Sequence, residues 1–83
     1  MEKRILGLYI GDKIAEPLKV QYLLSKYGCT IRTRLGLNDT QNEIKGGGII
    51  LLELTGELNE CDKLEKELRK IEHLDVQSMR FNL

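Results

Sequence analysis

The stretch PLKVQYLLSKYGCTIRTRLGL, residues 17–37, changes its hydrophobic period halfway along, and that change decides the fold. Val20, Leu23, Leu24 and Tyr27 recur at i, i+3, i+4 and i+7, the spacing of one helix face. Pro17 suits the first turn, where its missing N–H would have had no intrahelical partner, and Gly28 is the expected C′ stop. From residue 29 to 37 the period drops to two. Ile31, Leu35 and Leu37 fall on one side, Arg32, Arg34 and Gly36 on the other, as in a half-buried strand.

Working outward, residues 4–10 (RILGLYI) are short, apolar and closed by Gly11-Asp12, the marks of a preceding strand. Residues 38–48 are polar and glycine-rich, hence a loop, and Ile49 to Leu54 is the next strand. Asn59 is the expected N-cap of a second helix whose apolar stripe is Cys61, Leu64, Leu68 and Ile71. Asp62–Lys66 and Glu65–Arg69 are i,i+4 pairs in the favourable order, while Lys66, Arg69, Lys70 and His73 suit the negative helix end. A last strand runs from Val76 to Leu83.

The order is therefore β-α-β-β-α-β, with helices near 15–27 and 59–72. It predicts an α+β ferredoxin-like sandwich: one four-stranded antiparallel sheet with both helices on one face. At 83 residues the chain is expected to form a single domain, 1–83. The first and third strands, the most apolar, should be central, and the second and fourth should form the edges. Alternation assigns Leu6, Leu8, Ile10, Ile31, Leu35, Leu37, Ile50, Leu52, Leu54, Met79, Phe81 and Leu83 to the helix-covered face. Ile5, Gly7, Tyr9, Arg32, Arg34, Ile49, Leu51, Glu53, Ser78 and Arg80 are left on the open face. The apolar centre of that face, Ile5, Tyr9, Ile49 and Leu51, predicts a homo-oligomer interface, because a small core gains from association.

Thirteen basic residues balance thirteen acidic ones, so a general electrostatic hold on nucleic acid or a membrane is not expected. The apolar runs are too short to span a bilayer, and the first ten residues make a poor signal peptide, which points to the cytoplasm. Cys29 and Cys61 then read as reduced, mostly buried apolar residues. Neither they nor His73 has metal-ligand spacing, and no Ser or Cys sits in a nucleophile motif. No enzyme, metal or cofactor is expected. The glycines at 46–48 precede a strand, whereas a phosphate-binding loop runs into a helix. Tyr9 could serve as a base-stacking platform, but the third strand carries aliphatics where RNA-recognition domains place aromatics. Arg32 and Arg34, at i and i+2 on a strand, could together grip a carboxylate or phosphate. They could equally guard an edge strand or pair with Glu53. The candidate effector site joins these two arginines to Gly11 and Asp12 of the first turn, near a subunit boundary, with a small anion as ligand.

Leu23-Leu24-Ser25-Lys26-Tyr27-Gly28, continued by Ile31-Arg32-Thr33-Arg34-Leu35-Gly36-Leu37 and Gly48-Ile49-Ile50-Leu51-Leu52, resembles the iron-only hydrogenase system regulators. That family is similar to ACT domains and to the C-terminal domain of nickel-responsive repressors. The resemblance implies an ACT-like fold, assembly through the sheet, and a regulatory, ligand-sensing module. It does not imply their sites: the turn Gly11–Pro17 lacks the Asp-x-Pro-Gly of ACT domains, and a single histidine cannot rebuild the nickel site. The alternative expectation is a structural or protein-interaction subunit without a small-molecule ligand.

Overall fold

The computed structural model describes residues 1–11, 17–37 and 48–83. The elements are β1 (Glu2–Ile10), α1 (Pro17–Lys26), β2 (Ile31–Leu37), β3 (Gly48–Leu54), α2 (Leu58–Arg69) and β4 (Asp75–Asn82). All strand pairs are antiparallel, in the order β2-β3-β1-β4. This is the βαββαβ ferredoxin-like fold, with the apolar strands β1 and β3 central as their composition requires.

The core lies between one face of the sheet and the two helices. Leu6 and Leu8 of β1, Leu52 and Leu54 of β3, and Val76 of β4 meet the stripes of α1 and α2. Val20, Leu23, Leu24 and Tyr27 are all buried, as are Cys61, Leu64, Leu68 and Ile71, so both helical periods are confirmed in full. Their ends differ from expectation. Glu57, not Asn59, is the N-cap of α2, without a side-chain hydrogen bond, because Gly56 (φ 84°) turns the chain two residues earlier than expected. Nor is Gly28 a left-handed stop. Helix α1 tightens instead into a 3₁₀ turn over Gly28–Thr30, in which the Thr30 N–H donates to Tyr27 O at 2.8 Å. Cys61 is buried as expected, but Cys29 is exposed at that turn; both are free thiols. The loop 38–48 lies outside the described residues except for Gly48, which begins β3.

Two strands sit in a different phase from the predicted one. A β-bulge falls between Ile31 and Thr33, so Ile31 pairs with Leu54 while Thr33 already pairs with Glu53. The extra residue, Arg32, reverses every later side chain of β2. Leu35 and Leu37 thus join Leu51 and Ile49 on the open face, and Arg34 joins Leu52 on the helix side. In β4, Val76 pairs with Leu8 and takes the buried position. Met79 and Phe81 are therefore open and Ser78 and Arg80 face the helices, again the reverse of the expected assignment. Leu83 lies beyond β4 and is exposed rather than covered.

Leu52 is fully buried on a central strand, so Leu52→Ala should lower the unfolding free energy by about 2–5 kcal/mol in urea titrations.

Candidate functional site

The reversed phases of β2 and β4 enlarge the open face. Cross-strand pairing brings together Leu35 and Leu37, Ile49 and Leu51, Ile5 and Tyr9, and Met79 and Phe81. Leu35 and Met79 are each 51% exposed and Phe81 48%. The sheet is thus apolar on both sides while helices cover only one. At its centre Gly7 carries no side chain, and Leu51 leans across the gap: a Cβ there would meet Leu51 Cδ2 at 3.6 Å. The four expected interface residues, Ile5, Tyr9, Ile49 and Leu51, all lie on this face.

The polar margin of the face is ordered by Glu53. Its carboxylate accepts from Lys3 Nζ at 3.0 Å and from Thr33 Oγ1 at 2.8 Å, tying β1, β3 and β2 together. Lys3 first, then Thr33, holds the Glu53 carboxyl below its ordinary value of 4.5, with the charge of Arg32 adding a smaller push. Arg32 thus has the acidic neighbour anticipated for an edge arginine. Arg34 is on the other side of the sheet, donating to Gln21 Oε1 of α1 at 3.0 Å.

Gly11, Arg32 and Arg34 of the expected effector site are not gathered. Arg34 sits opposite Leu52, whereas Ile10, the neighbour of Gly11, sits opposite Gly48, four residues along β3. That separation is about 13 Å along the strand, with two strand spacings of about 4.8 Å across it. Arg32 is further still, and the bulge keeps it from sharing a grip with Arg34. Asp12 lies outside the described residues.

A second constellation went unread in the sequence. Arg4, on the helix side of β1, is only 2% exposed. Its guanidinium meets Asp62 Oδ1 at 2.8 Å, Glu2 Oε1 at 3.1 Å and Glu65 Oε1 at 3.3 Å. Burial acts to lower its pKa, but the hydrogen bonds to Asp62 and Glu2 outweigh that and raise it, so the charge is retained. Glu65, itself buried on α2, also accepts from Arg69 at 2.9 Å and from Arg80 at 3.4 Å. Arg69 in turn donates to Val76 O at 2.9 Å on edge strand β4. Three arginines and three carboxylates therefore join β1, α2 and β4. The sequence held one signal: Glu65 stands at i+4 from Cys61 and i−3 from Leu68, inside the apolar stripe. Among the described residues no group of three or more His, Cys, Asp or Glu is placed to hold a metal. No helix of the described chain is long and apolar enough to cross a membrane.

This architecture defines an ACT-like member of the ferredoxin-like α+β class. No family model and no curated protein matches the chain. Among solved structures it is similar to uncharacterized protein TM1266 from Thermotoga maritima, with a TM-score of 0.81 at 20% identity, covering 99% of this chain and 100% of that one. It is also similar to the ACT domain of GTP pyrophosphokinase from Chlorobium tepidum, with a TM-score of 0.66 at 20% identity over 93% and 96% of the two chains. A dimeric ferredoxin-like protein of unknown function from Thermobifida fusca superposes with a TM-score of 0.51 at 15% identity, over 100% and 92%. At these identities what is shared is the fold.

Removing Glu65 leaves Arg4 buried with part of its compensation gone. Glu65→Leu should cost about 3–5 kcal/mol in denaturant unfolding, and Arg4→Met in the same chain should recover much of it. Glu53 gives a separate, pH-dependent test. A carboxyl held below its ordinary value contributes stability above that value and loses it as pH falls through the folded one. Glu53→Gln should therefore be less stable than the parent at pH 7, with the gap closing as pH falls below the ordinary carboxyl value in urea titrations.

Proposed function

We propose that this chain is a non-enzymatic regulatory module of the cytoplasm, of the iron-only hydrogenase system regulator kind, that works as a homodimer assembled through its open sheet face. The observation that carries the assembly is the apolar area of that face. Eight apolar side chains from all four strands lie side by side on it: Ile5, Tyr9, Leu35, Leu37, Ile49, Leu51, Met79 and Phe81. Monomeric proteins rarely leave so continuous a patch to water. One sheet face can meet its own copy about a twofold axis, and Gly7 at its centre lets a second sheet approach closely. The Thermobifida protein of this fold is dimeric, which supports association of the fold as such.

The regulatory part rests on the ACT-like architecture and on the sequence resemblance described above. That resemblance implies assembly through the sheet and the sensing of a ligand. A catalytic role has no support in any nucleophile or acid–base arrangement read from the sequence. If the chain were only an assembly subunit, it would still dimerise, yet no small molecule would change its melting temperature.

Light scattering at micromolar concentration should give twice the mass of the chain. Leu51→Arg, which places a charge at the centre of the face, should give the monomer mass while far-ultraviolet circular dichroism stays that of the parent. A parent that runs as a monomer, or a Leu51→Arg chain that still associates, rules this assembly out.

A further inference from the structure

On the helix side, away from the open face, α2 and β4 enclose a cleft of about 430 Å³. Its floor is the Arg4–Glu65 pair already described. Five of the side chains lining it are cationic, against only Asp62 and Glu65, in a chain whose charges cancel overall. This excess arises from a specific diversion. By helical spacing Asp62 should neutralise Lys66, but it turns to Arg4 at 2.8 Å instead. Lys66 is left without an acid among the described residues, and so is Lys70, the C-cap residue of α2 four positions further on. Arg80 faces them from β4, half-exposed and held only at 3.4 Å by Glu65 and 3.7 Å by Glu2.

We infer that this cleft binds a compact polyanion, a small molecule carrying two or more adjacent phosphate or carboxylate groups. Cations in the last turn of a helix are often explained by its dipole, and that account covers Lys66, Arg69 and Lys70. It does not cover Arg4 and Arg80, which come from the sheet and stand directly opposite each other on neighbouring strands. Glu2 and Glu65 each bridge these two arginines, so the charge left to meet an incoming anion is that of Lys66, Lys70 and the half-exposed side of Arg80. The two lysines and Arg80 supply donors from opposite walls, an arrangement that favours two anionic groups over one. Among the described residues the lining side chains are all charged, so it is the anionic groups of a ligand that they can hold. This gives the proposed regulatory module an effector class and rests on that reading only for its use, not for the binding itself.

Amide NMR titrations with pyrophosphate and, separately, citrate test the site, with sodium chloride at matched ionic strength as the control. Either ligand should shift resonances of residues 66–70 and 78–82, and whichever shifts them at lower concentration identifies the phosphate or the carboxylate source. Lys66→Gln and Lys70→Gln, both surface changes that preserve helix propensity, should each weaken binding roughly tenfold. Monomeric Leu51→Arg should bind like the parent, so loss of dimerisation and loss of binding are read independently. Shifts no larger than those from chloride, shifts unchanged in the double lysine variant, or shifts centred on Gly11 and Arg32 overturn the inference.

Discussion

A guanidinium sealed beneath a helix must find its counter-charges on the spot, and Arg4 imposes that condition on half of this structure. It occupies a position of β1 that alternation reserves for the core, and 2% exposure leaves it no water to lean on. Glu65 has to reach it from α2, which fixes the rotation of that helix over β1. Glu2 reaches it from two residues back, and Asp62 turns away from its helical partner to complete the set. Replacing such a cluster by apolar residues is often neutral for stability, so its presence favours a role in fixing geometry over one in adding stability. What it fixes is the seating of α2 against the edge strand, through Arg69 to Val76 O and Arg80 to Glu65.

The same condition shapes the charge outside the cluster. Each carboxylate drawn inward to Arg4 is one fewer for the surface of α2, so Lys66 and Lys70 project without partners among the described residues. A neutral chain therefore carries a local positive cleft, which no count of charges along the sequence would disclose.

The two surfaces open to partners lie on opposite sides of one sheet, and β4 belongs to both. Its alternate residues Met79 and Phe81 face the apolar side, whereas Ser78 and Arg80 face the cleft. Displacement of this edge strand would be felt on both faces at once, since packed side chains on a strand cannot move separately from its backbone. For the proposed module, β4 would be the shortest physical path between the proposed anion cleft and the proposed sheet interface.

The order of elements, the pairing of central and edge strands, and both helical stripes were determined by the sequence alone, because period and apolar content are local properties. Leu23, Leu24, Leu64 and Leu68 needed no tertiary information to be placed in the core. The faces of β2 and β4 were different. Alternation separates inside from outside only when one side is polar, and here Leu35, Leu37, Met79 and Phe81 make the outside apolar too. The bulge at Arg32 compounds this, since one unpaired residue inverts everything after it and leaves no mark in composition. The open-face placement of Ile5, Tyr9, Ile49 and Leu51 was legible from the strands that carry no bulge. The joining of Gly11 to Arg32 and Arg34 was not, because strand register puts them at different ends of the sheet. Arg4 and Glu65 stand 61 positions apart, and a pair so distant in the chain is decided only when α2 folds across β1.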